Sequence, residues 1–528
     1  MLLKIVLLVA FIAVTVGIGI YARKSATDVN GFVLAGRSVG PWLTAFAYGT
    51  SYFSAVIFVG YAGQFGWRYG VSSTWVGLGN AFLGSLLAWV VLGRRTRLMT
   101  QSLGSRTMPD FFGLRFKDKN LKLVASVITF IFLIPYTASL FNGLSRLFNM
   151  AFPGVPYEVC VIAMAILTGI YVIAGGYMAT AINDFIQGII MIIGIVAVIL
   201  AVLNVHGGFV NSLVELAQLE TTASNGANMP GAYISFFGPE PLMLLGVVLL
   251  TSLGTWGLPQ MVGKFYAIRD EDAVRKGTII STIFAVIVAG GCYFLGGFGR
   301  LFITGDMISA AGTPVGGYDS VVPTMLSFLP DALIAVVLIL VLSASMSTLS
   351  SLVLTSSSTM TLDFIGQIRK DELDEKKKLV ILRSLVAVFI VISAAIAILQ
   401  YSSSVAFIAQ LMGVSWGALA GSFLAPFMYG LYWKKTTKAS VWASYVFGVG
   451  VTIFELVVLT TGKTFTSPFM AYFFASPINA GVLAMVGGLI IVPIVSLLTP
   501  KMSSKDVDPM FTCYDTKVSV RAAENLAK

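Results

Sequence analysis

Charge is scarce in this chain. Only 11% of its 528 residues are Asp, Glu, Lys or Arg, whereas 57% are hydrophobic, and the mean hydropathy is +0.89. No soluble domain of this size carries that balance, so the chain reads as a polytopic protein of the lipid bilayer. Histidine is scarcer still. His206 stands alone, which argues against a histidine-based metal centre or charge relay and leaves a plain loop residue as the default. Cys160, Cys292 and Cys513 are too few and too scattered for a disulfide framework or a metal cluster. A phosphate-binding G-x-x-x-x-G-K-[ST] loop and an H-E-x-x-H helix are both missing, so ATP-driven transport and zinc proteolysis have no support and no enzyme is expected. Strand-period alternation is missing too, which leaves helices as the spanning elements. The net charge is +10, but Lys and Arg cluster between apolar runs, not on one basic face. Nucleic acid is therefore not an expected partner, and no obligate protein partner is evident.

What is present is a series of long apolar runs. About thirteen lie near 2–22, 41–63, 73–93, 122–150, 157–177, 184–205, 239–262, 278–302, 326–362, 379–400, 404–432, 438–460 and 477–498. The first lacks a small-x-small cleavage site and is long enough to span, so it counts as a helix and not as a signal peptide. Run 326–362 exceeds what a bilayer needs and must tilt, bend or protrude. Every second loop is rich in Lys/Arg: Arg23 and Lys24; Arg94 to Lys119; Lys264 to Lys276; Arg369 to Lys378; Lys434 to Lys438. The loops 206–238 and 304–325 have none. The positive-inside rule then puts the N-terminus outside and the C-terminal tail in the cytoplasm of a multi-pass cell-membrane protein. The tail from Lys501 is polar and reads as flexible.

Two spans look broken. Tyr48-Gly49-Thr50-Ser51-Tyr52 puts small polar residues in mid-span, and Thr251-Ser252-Leu253-Gly254-Thr255-Trp256-Gly257-Leu258-Pro259 does so with a proline. Pro removes a helix donor and Gly loosens the backbone. With the first span set aside, the breaks open two groups of five spans, 39–205 and 239–432. An odd number of spans per group makes the repeats inverted. Residues 1–38 are then an extra helix and loop, 433–498 two further helices, and 499–528 the tail. Broken helices at matching places of inverted repeats point to a transporter site; the bland alternative is that Gly and Pro are common in membrane helices.

A hydroxyl face completes the pattern. In Leu342-Ser343-Ala344-Ser345-Met346-Ser347-Thr348-Leu349-Ser350-Ser351, helical spacing puts Ala344, Ser347, Thr348 and Ser351 on one face, with Ser350 beside them. Hard cations are held by oxygens, and hydroxyls supply oxygen without permanent charge. Carbonyls freed near Thr50 and Phe53, the Ala344 carbonyl and the Ser347 and Thr348 hydroxyls could together hold a sodium ion. Back-bonding to the helix, or close helix packing, is the other reading of these hydroxyls. Asp184 could face Ser347, Ser350 and Ser351 as a second cation site; equally, Asp184-x-x-Gln187 has the form of a capping box. Tyr52, Tyr136, Trp256 and Gln260 are the candidate contacts for an organic solute. A half-helix N-terminus near Gly254 to Gly257 would favour a carboxylate by about 0.3–1 kcal/mol.

These stretches resemble the sodium/solute symporter family. The resemblance is carried by Phe32-Val33-Leu34-Ala35-Gly36-Arg37-Ser38, Gly49-Thr50-Ser51-Tyr52-Phe53-Ser54-Ala55, Ala174-Gly175-Gly176-Tyr177, Asn183-Asp184-Phe185-Ile186-Gln187, Gly257-Leu258-Pro259-Gln260 and Ser345-Met346-Ser347-Thr348-Leu349-Ser350. It implies an all-α leucine-transporter-type fold, with two inverted five-helix repeats and flanking helices. It further implies sodium held by Thr50, Phe53, Ala344, Ser347 and Thr348, and in some members a second sodium at positions matching Asp184, Ser347, Ser350 and Ser351. Proline-carrying members have an aspartate where this chain has Tyr52 and a tryptophan where it has Val56; a tyrosine at the first position is more similar to the pantothenate branch. The expected function is sodium-coupled import, by alternating access, of a small organic solute that bears a carboxylate and is pantothenate-, proline- or monocarboxylate-like. A sodium-independent uniporter or channel, or a proton-coupled symporter, is the alternative.

Overall fold

The computed structural model describes residues 2–152, 154–219, 229–310, 312–369, 374–403 and 408–515, the side chains at 402–403 and 408–409 excepted. Among these there is no strand, only two isolated bridges, and almost everything is helix. The principal helices are α1 (Leu2–Ala22), α2 (Pro41–Tyr52), α3 (Ala62–Tyr69), α4 (Lys119–Ala151), α5 (Tyr157–Val205), α6 (Pro241–Leu253), α7 (Pro259–Tyr266), α8 (Glu271–Gly296), α9 (Asp331–Thr359), α10 (Glu375–Ser403), α11 (Ile408–Tyr432), α12 (Lys438–Thr461) and α13 (Pro477–Leu498).

Among the described residues, ten helices are long and apolar enough to cross a membrane, or eleven with the bent pair α6 and α7 counted as one span. About thirteen were expected. The difference arises where one unbroken run takes in two expected spans, in Tyr157–Val205 (49 residues) and within Val56–Leu103 (48 residues), and where Pro41–Tyr52 (12 residues) is too short to count. Each long run is bent at a glycine. Gly176 has φ 54° and ψ −146°, and Gly70 has φ 61° and ψ −142°. Side-chain-bearing residues avoid that region. At Gly176 a Cβ would also sit 2.7 Å from the Phe32 carbonyl oxygen.

Helix starts follow local chemistry. α2 opens with a proline in its first turn, where a missing N–H costs nothing. Asp118, Asp270 and Thr437 accept backbone N–H groups at the starts of α4, α8 and α12. The tail is less loose than its composition predicts: Ser504–Phe511 is helical, and Asp506 and Asp508 pair with Lys117 and Lys434 at 2.6 and 2.8 Å. Residues 516–528 and Lys370 lie outside the described residues.

The layering positions the hydroxyl stretch. In their most apolar windows α1 is 22% buried, α9 78% and α11 89%, so α9 and α11 face protein and α1 faces lipid. α9 packs against α2, α4, α5 and α10. Hydroxyls on α9 are thus sheltered from hydrocarbon, where partnerless polar groups are costly.

Candidate functional site

Both expected breaks exist, and one lies later than expected. The stretch Tyr48 to Tyr52 stays helical; α2 ends at Phe53, whose backbone is extended (φ −110°, ψ 130°), and the chain resumes as a wide π turn over Val56–Tyr61. Small polar residues therefore did not unwind the helix. They form its last turn, where the regular helix ladder ends and only Phe53 N reaches back, to Thr50 O at 3.2 Å. The second break falls where it was read. α6 runs into a 3-10 turn at Gly254–Gly257, Leu258 is extended, and α7 restarts at Pro259 with a bend of 48°. Leu258 precedes a proline, which disfavours helical backbone. The half-helix N-terminus is consequently at Pro259, not at Gly254 to Gly257.

The end of α2 meets the hydroxyl face of α9. Ser347 Oγ lies 3.0 Å from Thr50 O and 3.1 Å from Ala344 O. Thr348 Oγ1 lies 3.1 Å from Ala344 O, 3.3 Å from Phe53 O and 3.4 Å from both Thr50 O and Ser51 O. All five predicted residues are thus gathered, and Ser51 adds a carbonyl that the sequence did not single out. Every one of them is buried. Two hydroxyl protons face four carbonyl oxygens here, and each proton satisfies one acceptor well.

Asp184 is not a helix cap. It lies within α5, fully buried, and neither oxygen accepts a hydrogen bond from a described residue. Its charge partner is Lys264, whose Nζ is 3.5 Å from Asp184 Oδ2 and donates to Ser351 Oγ at 2.8 Å. Lys264 was assigned to a loop; instead it ends α7 and is 2% exposed. Ser351 Oγ is also 2.8 Å from Ser51 Oγ. Ser350 donates back to Ser347 O at 2.9 Å, and Ser347 is engaged with α2. Of the proposed second set, Asp184 and Ser351 are therefore brought together, through a lysine.

The four solute candidates separate. Tyr52 and Tyr136 both pack edge-to-face with Trp416, with ring centroids at 6.3 and 5.9 Å. Trp416, in α11, was not anticipated; its place in an apolar run gave no signal. Tyr52 donates its hydroxyl proton to Thr251 O, linking the two broken spans. Trp256 points away, its Nε1 donating to Leu83 O at 3.1 Å. Gln260 lines a small cavity shared with Lys264, Ser351, Tyr177 and Arg106, on the side of the Lys/Arg-rich loops. Asn80, also unforeseen, accepts from Thr251 and Ser252 at 2.9 and 3.2 Å and holds the second break.

Known proteins resemble this chain in sequence and in fold. Sodium/proline symporters of Staphylococcus aureus, in strains JH9 and COL among others, are 31% identical over 458 residues, covering 85% of this chain and 85% of theirs. The solved structure of a Na+-coupled sialic acid symporter, in a substrate-bound outward-open state, superposes with a TM-score of 0.72 at 16% identity, over 95% of this chain and 99% of that one. That likeness shows the fold, a leucine-transporter-type membrane bundle of two inverted five-helix repeats with flanking helices. The model of the Sodium:solute symporter family matches residues 32–448. With its two broken spans and many apolar helices, the chain is a multi-pass membrane protein and belongs to the sodium:solute symporter family.

Proposed function

We propose that this protein imports a small, carboxylate-bearing organic solute together with sodium, by alternating access across the cell membrane. One observation carries the reading: the carbonyl oxygens of Thr50, Ser51, Phe53 and Ala344 and the hydroxyls of Ser347 and Thr348 converge between the end of α2 and α9, and each carbonyl has two lone pairs to offer. The surplus lone pairs call for a positive charge. Calcium, of nearly the same radius as sodium, takes oxygens at about 2.3–2.6 Å, and ligands at right angles on such a sphere are about 3.3–3.7 Å apart. The oxygen separations of 3.0–3.4 Å reach the lower end of that range, so a small widening would fit the ion. Thr50, Phe53 and Ala344 would ligate through carbonyls, Ser347 and Thr348 through hydroxyls. Sodium there is cargo, and it bridges a broken span to an intact one, so its presence biases their relative position.

The solute is assigned to the aromatic cluster of Tyr52, Tyr136 and Trp416, which Tyr52 ties to the second break through Thr251 O and which must part to admit it. Trp256 and Gln260 are less directly placed, Gln260 on the exit side. Relatives named for proline and sialic acid both handle carboxylates, which supports that substrate class.

Purified protein in liposomes tests this. Radiolabelled proline, pantothenate, short-chain monocarboxylates, sugars and nucleobases are offered with and without an inward sodium gradient. Accumulation above equilibrium of one carboxylate, only with sodium, is expected. Ser347→Ala with Thr348→Ala should raise the sodium needed for half-maximal uptake at least tenfold. Uptake that never exceeds equilibrium would instead establish a uniporter, and accumulation driven by pH alone a proton symporter.

A further inference from the structure

We infer that Lys264 is a built-in cation that fills the second cation pocket, so that this protein binds one sodium per chain and not two. The inference rests on the sodium reading of the Thr50–Ser347–Thr348 cage.

The pocket has the parts of a cation site. Asp184 supplies a carboxylate that is fully buried and accepts no hydrogen bond from a described residue. Ser351 Oγ and Ser51 Oγ stand 2.8 Å apart, and Ser351 Oγ is 3.1 Å from Ser347 O. A carboxylate, two hydroxyls and a carbonyl are a plausible sodium set by oxygen count. The chain's own ammonium is there already. Lys264 Nζ is 2.8 Å from Ser351 Oγ and 3.5 Å from Asp184 Oδ2, and it stands over the Tyr177 ring at 5.2 Å from the centroid. The ammonium thus has a hydroxyl to donate to, a carboxylate as counter-charge and a ring face beside it. One negative charge is present and one positive charge balances it. A sodium ion held by the same two groups would stand within a few ångströms of the ammonium, at a buried site where like charges repel more strongly than in water.

The elements involved give the ammonium a mechanical role. Lys264 is on α7, beyond the second break; Ser51 is on α2, before the first; Asp184 and Ser351 are on α5 and α9. A sodium bound between these elements would leave on each cycle. A lysine stays attached to α7 and returns with it, so the link is re-formed without a second ion. It also touches Ser351 and, through it, Ser51, one residue from Thr50 of the sodium cage.

Equilibrium binding of 22Na+ to purified protein in nanodiscs reads the number directly. Wild type should bind one ion per chain. Lys264→Met, which keeps chain length but removes the charge, should bind two, and adding Asp184→Asn should return the count to one. Lys264→Arg should stay at one. Two ions in wild type, or one in a monodisperse Lys264→Met protein, would overturn the inference and leave the sodium symport reading standing. No ion in any form would sink that reading and this inference with it. Should Lys264→Met fail to fold because Asp184 is left unpaired, the double variant still decides. One ion bound within threefold of wild-type affinity is expected, and loss of that ion would show that the pair serves the first cage, against the inference.

Discussion

Thr348 has one hydroxyl proton and four carbonyl oxygens within 3.4 Å, and that imbalance is the most informative local fact in the molecule. A packing role would need only one of those contacts. Gly176 is the other residue whose identity is dictated by its surroundings. Its backbone sits at positive φ, and a Cβ would press on the Phe32 carbonyl and ring. Gly176→Ala should cost about 1–3 kcal/mol, read as a drop of several degrees in the melting temperature of the detergent-solubilised protein. Gly17→Ala is the control, since nothing lies within 4 Å of its Cβ; equal melting of the two variants would refute the argument. The hydroxyl face was legible from spacing alone, because helix geometry fixes which side chains share a face. Lys264 was not. Spacing cannot distinguish a lysine that reaches water beyond an apolar run from one folded inward onto an acid two helices earlier in the chain. Trp416 was missed for a related reason, since an aromatic within a buried span looks the same whether it packs or lines a site.

At the scale of elements, the two broken spans are fastened to each other at one end. Val39 N donates to Ala267 O at 3.2 Å, and Arg269 N to Val39 O at 3.1 Å. Arg37 adds Nη1 to Tyr266 O at 3.1 Å and Nη2 to Ser105 O at 2.6 Å, so it satisfies the last carbonyl of α7 and clamps a neighbouring loop. The start of α2 and the end of α7 therefore move as one body. Arg37→Gln should loosen that body: amide exchange at 266–269 should quicken about tenfold, the equivalent of about 1.4 kcal/mol of lost local stability. Hydrogen exchange followed by mass spectrometry measures it, and unchanged exchange there would count against the clamp. The breaks themselves were read unequally well. Leu258-Pro259 imposes a local backbone rule that sequence states outright. Gly49 and Ser51 merely permit a break, and tertiary contacts moved it to Phe53 and Ser54, where α9 receives the freed carbonyls.

The whole molecule sorts its charge by face. Segments rich in Lys and Arg, scattered along the sequence, are joined to one another. Arg97 donates to Arg269 O at 2.8 Å, Arg115 to Gly430 O at 3.0 Å and Arg383 to Ala26 O at 3.3 Å, while Lys117 and Lys434 hold the helix at Ser504–Phe511. The other end gathers segments poor in Lys and Arg, through Trp75 to Phe236 O at 2.8 Å and Arg300 to Trp67 O at 2.6 Å. An alternation seen in sequence thus becomes one basic face and one nearly neutral face. Since basic loops are retained in the cytoplasm, we propose that the basic face and the tail lie inside. Ser504 and Thr304, both exposed, mark the two faces. In a background with Cys160, Cys292 and Cys513 replaced by serine or alanine, Ser504→Cys should be at least tenfold more reactive towards a membrane-impermeant maleimide in inside-out vesicles than in intact cells. Thr304→Cys should show the opposite ratio. If both residues reacted from the same side, the sorting of charge would not describe a membrane crossing at all; if the two ratios were exchanged, the bundle would sit inverted, and the sodium cage would have to be read as loading from the cytoplasm.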